Sequence, residues 1–247
     1  MSWCDKLAST PVVGIKLTPN FQAAEQILSS LSSVLNREVE NERAAFTIET
    51  MDPFNLTFNT ESGFRYSFEP GSISVAFNHR IRAKASSAGP PTMELISRAA
   101  PYTDLLELVS GRLIEVLDIL QIPSARKMTR VGVVSVTQVD LEDAPPGIVE
   151  ILHQIGMPLG GQVENFNTSI TTKISDDEKS TVRCAHNLTL PEKPETLVTL
   201  HLDWMRTFKT PSSASKSNAS DALKNAQLDA LAYFEKFAEG GLSDVEN

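Results

Sequence analysis

The sequence predicts an α+β fold: a tandem duplication of a βαβββα unit, with mainly antiparallel sheets and helices packed on one side. Three observations carry this. Apolar residues alternate at a period of two in a series of short runs, the mark of half-buried strands. Longer runs place apolar residues at helical spacing. The same order of runs then recurs, and Val131-Gly132 in the second half echoes Val13-Gly14 in the first.

The first strand is Pro11–Thr18, in which Val13, Ile15 and Leu17 alternate with Val12, Gly14 and Lys16. Phe21–Leu35 follows as a helix, with Asn20 placed to accept from a free backbone N–H of its first turn. Phe46–Glu49 reads as a strand continuing towards Phe58, interrupted at Pro53. Gly63–Glu69 alternates Phe64, Tyr66 and Phe68 against Arg65 and Ser67. The Pro70-Gly71 pair then joins it to a run from Ser72, which predicts a hairpin. That run extends as one long strand, Ser72–Lys84. Tyr102–Leu120 carries the strongest helical stripe: Leu106, Val109, Leu113, Val116, Leu117 and Leu120. Asp104 and Glu107 form a capping-box pattern at its start.

In the second half, Val131–Val136, Phe166–Ile174, Thr181–Leu190 and Thr196–Phe208 read as strands. Gly147–Ile155 and Asp221–Phe237 read as helices, and the Ser-rich stretch Pro211–Ser220 as a loop between strand and helix. The boundary between the two predicted units falls at residues 125/126.

Three stretches of this sequence resemble one family. They are the opening Lys6–Phe21, the run Arg130-Val131-Gly132-Val133-Val134-Ser135-Val136, and the closing Leu200-His201-Leu202-Asp203 before a helix. The family is a sporadically distributed, uncharacterised group of bacterial proteins of about this length. Arg130 and Gly132 match its central pattern, whereas Val134, Ser135 and Thr137 stand where it has Arg, Tyr and Asn. The resemblance implies a bacterial origin and a shared architecture, and brings no activity with it.

Composition narrows the function. The chain has 247 residues, 22 Lys and Arg against 31 Asp and Glu, and a net charge of −9. That balance argues against a nucleic-acid partner, which needs clustered cations, and against attraction to an anionic membrane. No apolar run approaches the ~20 residues that span a bilayer, and the first residues lack the pattern of a signal peptide, so a cytoplasmic location is expected. The two cysteines, Cys4 and Cys184, are too few for a disulfide framework. They read as two unrelated thiols, with a single bridge as the alternative.

The known catalytic signatures are missing. There is no Gly-x-Ser-x-Gly elbow, no phosphate-binding loop and no dinucleotide fingerprint. Cys184, His186, His201 and Asp203 are zinc ligands by type. Strand alternation, however, puts the first two on the face opposite the last two, so no metal is expected. No cofactor and no catalytic residue are assigned. One basic run remains: Arg80, Arg82 and Lys84 alternate along a strand, with Tyr66 and other aromatics nearby. These four are the candidate contacts for a ligand or partner, and a shielded strand edge is the alternative reading of the cations. The expected function is therefore a non-enzymatic binding or regulatory accessory protein, recognising a protein, peptide or small ligand in a groove of the duplicated sheet. The alternative is a hydrolase-like enzyme with a dispersed site in the cleft between units, drawing on Cys184, His186 or His153.

Overall fold

The computed structural model describes residues 2–7, 9–19, 24–31, 46–79, 81–84, 92–95, 100–120, 126–156, 166–190 and 197–240. The first half runs α1 (Trp3–Lys6), β1 (Thr10–Leu17), α2 (residues 24–31), β2 (Phe46–Met51), β3 (Leu56–Thr60), β4 (Phe64–Glu69), β5 (Ser72–Phe77), β6 (Ile81–Lys84), β7 (Thr92–Leu95) and α3 (Tyr102–Ile119). The second runs β8 (Lys127–Asp140), α4 (Pro146–Gly156), β9 (Phe166–Asp176), β10 (Ser180–Leu190), β11 (Leu197–Ser213) and α5 (Lys216–Ala238).

Nine strands form one antiparallel sheet in the order β2-β3-β4-β5-β1-β8-β11-β10-β9, and β6 pairs with β7 apart from it. The mixed α+β class and the antiparallel pairing agree with the sequence reading. The two predicted units share this single sheet. Their seam is the β1–β8 pair, in which Val13 faces Val133 and Gly14 faces Gly132. Outward from the seam the second half adds β11, β10 and β9, while the first adds β5, β4, β3 and a further strand, β2. The first half also holds the β6–β7 hairpin.

Alternation decides which face each strand buries. Val13, Ile15 and Leu17 of β1 are buried, as are Phe64, Tyr66 and Phe68 of β4, with Arg65 exposed between them. On β8 the buried residues are Met128, Val131, Val133, Ser135, Thr137 and Val139. α3 lies on β1 and β5, and α5 lies on β8 and β11. Leu106, Val109, Leu113, Val116 and Leu117 of α3 are buried, with Leu223, Ala226, Ala230, Phe234 and Phe237 of α5. Each such Leu or Phe contributes about 1.5–3 kcal/mol over an exposed position. Gln227 of α5 ties the two helices, donating to the Leu106 carbonyl at 3.3 Å and to Ser110 Oγ.

Several features differ from the sequence reading, and four of them bear on the architecture. α1 is unforeseen, and it joins both long helices. Its Trp3 amide donates to Glu235 Oε1 at 2.8 Å, its Trp3 indole N–H donates to the Phe234 carbonyl, and its Asp5 meets α3. The predicted cap of α3 by Asp104 does not form. The helix begins at Tyr102 after Pro101, which offers no side-chain cap, and the Thr103 amide donates to Asp5 Oδ1 at 2.9 Å instead. The run Ser72–Lys84 is two strands, since β5 ends at Phe77 and β6 starts at Ile81. The Ser-rich stretch is not a loop: β11 extends to Ser213, and Ser215 caps α5, accepting from the Asn218 amide at 3.4 Å. Serine at a helix start satisfies a free N–H, so a polar stretch can be ordered. The Asn20 cap expected for the first long helix lies outside the described residues. Among those residues, no helix is long and apolar enough to cross a membrane.

Candidate functional site

α3 and α5 cover one face of the sheet. The other face carries the alternate residues of the same strands. The register lines up Thr57, Ser67, Ser74, Gly14 and Gly132 in one row across β3, β4, β5, β1 and β8. With no large side chain there, the row is low. Where it crosses the seam it opens into a depression of about 190 Å³.

Gly14 and Gly132 form the floor of this depression. A Cβ at Gly14 would stand 3.2 Å from Ser74 Cβ, tighter than ordinary contact. One at Gly132 would stand 3.5 Å from the Trp204 carbonyl oxygen and 3.8 Å from Asp203 Oδ1, which is ordinary packing but would fill the hollow.

Charge surrounds the floor. Lys16 and Arg130 are directly opposite each other on β1 and β8, one alternation step from the glycines. Asp203 and Met205 enter from β11, and Met205 pairs with Gly132. Arg130 Nη1 donates to Met205 Sδ at 3.1 Å. Burial raises the Asp203 pKa, and His201, Arg130 and Lys16 pull against that rise.

Sequence reasoning missed this cluster, although a signal for it exists. Lys16 lies two residues after Gly14, and Arg130 two residues before Gly132. Antiparallel pairing of the two glycines necessarily brings the cations together.

The residues singled out from sequence fall elsewhere. Tyr66 is 2% exposed and stacks on Phe58 at a ring separation of 4.9 Å, so its ring belongs to the core. Phe64 and Phe77 are buried on the same side. These three rings are therefore not available as contacts on the open face: period-two alternation turned them inward and Arg65 outward. Arg80 lies outside the described residues. Arg82 and Lys84 occupy alternate positions of β6, opposite Glu94 and Thr92 of β7.

The four candidate metal ligands separate as alternation requires. Cys184 and His186 are buried on the helix-covered face, opposite Trp204 and Leu202 of β11. His201 and Asp203 belong to the other face. Among the described residues, no three His, Cys, Asp or Glu side chains gather to hold a metal.

Both cysteines are free and buried. Burial pushes the Cys4 thiol up to about 12 and raises that of Cys184 as well, which keeps both in the unreactive thiol form. His186 sits in a buried polar chain. Its Nδ1 is 3.2 Å from the Ile170 carbonyl, which can only accept, so Nδ1 carries the proton. Nε2 is then an acceptor, and the Tyr233 hydroxyl donates to it at 3.0 Å. Burial lowers the His186 pKa, against the Ile170 bond that favours the cation. The side chain of His153 in α4 lies outside the described residues.

Fold and site together define a mixed α+β protein with a nine-stranded antiparallel sheet, closed by helices on one face and carrying a charged depression on the other. No protein-family model matches the chain, and neither a curated protein nor a solved structure is significantly similar to it.

Proposed function

We propose that this chain is a non-enzymatic binding or regulatory accessory protein that recognises its ligand or partner on the open face of the sheet. The observation that carries this reading is the shallow depression over Gly14 and Gly132, ringed by Lys16, Arg130 and Asp203. Concave places with a few placed polar groups are where proteins bind. The helices serve as cover for the opposite face. Catalysis would need an activated group at the site, whereas Cys184 and His186 are turned away into the core.

Duplication of a βαβββα ancestor fits the reading. It is supported by the Gly14–Gly132 register and by the similar order of strands outward from the seam. A binding place at the seam is then common to both copies. The family resemblance supports a bacterial protein, and composition supports a cytoplasmic one. Arg80, Arg82 and Lys84 are proposed as a secondary contact for a larger partner.

Native co-purification followed by mass spectrometry tests the proposal, using the full chain and a Gly132→Trp variant. The added indole covers the depression, and its Cβ meets only ordinary contacts. A ligand or partner retained by the parent and lost from the variant is the expected result. Equal retention by both would place recognition elsewhere.

A further inference from the structure

We propose that the depression over Gly14 and Gly132 binds an oxyanion, a carboxylate or phosphate group held between Lys16 and Arg130. This rests on the open-face reading and names the chemistry of that site.

The argument begins with an unfavourable pair. Lys16 and Arg130 are cross-strand partners. Like charges directly opposite on an antiparallel pair repel. The chain has 31 carboxylate side chains against 22 cations, so counter-charges are plentiful. Some other cations find them, whereas Lys127, Arg183 and Lys224, among the described residues, form no ion pair either. Arg65 pairs with Glu49 at 2.9 Å, Lys209 with Asp176 at 2.8 Å and Lys216 with Asp118 at 2.7 Å. Among the described residues, neither Lys16 nor Arg130 forms an ion pair.

The carboxyl groups on this side do not close the gap. Glu69 accepts from Ser72 Oγ at 2.7 Å, and Asp203 lies beside the Gly132 floor. Asp203 is half-buried, and burial raises its pKa against the pull of His201, Arg130 and Lys16, so it offsets the two cations only in part and forms no ion pair with either among the described residues. Arg130 has a thioether at 3.1 Å, a weak acceptor for one of its five N–H donors. A bridging oxyanion removes the repulsion and supplies the missing acceptors. The planar fork of a guanidinium fits two oxygens of one carboxylate or phosphate, and the lysine adds a point charge. The glycine floor leaves room for the oxyanion and for the first atoms of whatever carries it.

An NMR titration of the full ¹⁵N-labelled chain tests this, with sodium phosphate, sodium acetate and sodium chloride at matched ionic strength. The Gly14 and Gly132 amide signals should move saturably with phosphate or acetate and stay fixed in chloride. Movement with phosphate alone assigns a phosphate ligand, with acetate alone a carboxylate, and with both a general oxyanion site. Arg130→Gln and Lys16→Gln should each weaken binding by roughly tenfold or more. Arg65→Gln, on the same face but paired with Glu49, should leave it unchanged. Lys16 is exposed, so its variant keeps the core intact. Absence of saturable movement with either oxyanion, or its persistence in both glutamine variants, overturns the inference. Loss of a co-purified partner from Gly132→Trp would still uphold the open-face reading in that event, so the two failures are told apart.

Discussion

Asp5 of α1 accepts the Thr103 amide at 2.9 Å and so caps a helix that begins nearly a hundred residues further along the chain. Its other oxygen accepts the Ser2 amide at 3.0 Å, completing the box at the start of α1. One carboxylate therefore orders two helix starts. Burial alone would raise its pKa, but the hydrogen bonds from Thr103 and Ser2 outweigh burial and hold it below the usual range.

Asp5→Ala should cost about 0.5–2 kcal/mol at neutral pH, the usual penalty for losing a cap. The sign of the pH effect follows from the depressed pKa. The contribution is fully present above the unfolded value, about 3.9, and fades as pH falls through the folded value. Urea denaturation of parent and variant at pH 7 and below about pH 3 should show the difference shrinking in acid. A difference that stays constant would contradict the capping role.

Leu113 is fully buried at the centre of the α3 stripe. Leu113→Ala should cost about 2–5 kcal/mol. Glu115, on the same helix, is partly exposed and pairs with Arg112 at 3.2 Å. Glu115→Ala should stay within about 0.5 kcal/mol of the parent. Equilibrium denaturation of the two variants checks the assignment of faces.

Two helix glycines should respond oppositely to alanine. Nothing lies within 4 Å of a Cβ built on Gly111 of α3, so Gly111→Ala should stabilise by up to about 1 kcal/mol through backbone entropy. A Cβ at Gly147 of α4 runs into the carbonyl oxygen of Phe237 in α5. Gly147→Ala should therefore destabilise by about 1–3 kcal/mol despite the same gain in propensity. Thermal melts of the pair suffice, and equal shifts would refute the close approach of α4 to α5.

His186 is buried neutral, with its pKa lowered. A lowered histidine pKa means that the unfolded chain takes up the proton first. Stability is complete above the unfolded value of about 6.5 and declines as pH falls below it, towards the folded value. His186→Leu should lose that part of the slope, whatever its own stability. Tyr233→Phe leaves Nε2 without its donor and should cost about 1–3 kcal/mol. Denaturation midpoints measured between pH 7.5 and about pH 5 decide both.

The opposed faces of Cys184 with His186 and of His201 with Asp203 lead to a further expectation. The purified chain should hold no stoichiometric zinc by elemental analysis. Zinc that is present and disappears in His201→Ala would overturn this expectation and make His201 a ligand.

Legibility followed the range of the interactions. Alternation in β1, β4 and β5 reads directly off neighbouring residues, because a strand half-buried on a core must repeat every two. The stripe of α3 is legible for the same reason at a period of 3.6. α1 is too short for any period to register, and its order comes from Glu235, Phe234 and Thr103, all remote in sequence. The limits of β11 and α5 were obscured by serines that serve both loops and caps. The Lys16–Arg130 pair needed one fact that composition does not hold: that β1 and β8 are neighbours, with glycine against glycine.

That seam also bears on how the chain is made. β1 is completed by residue 17, and its partner β8 begins at Lys127. During synthesis β5 and α3 can dock on β1 from one side long before the other side is occupied. Until β8 emerges, the nascent chain displays an unpaired strand with Val12, Gly14 and Lys16 along it, open to any other extended segment. Lys16 is the one charged residue of that strand, and a charge on an unpaired strand disfavours edge-to-edge association. The cation that borders the depression in the folded protein is thus also the residue that makes this edge a poor template before β8 arrives.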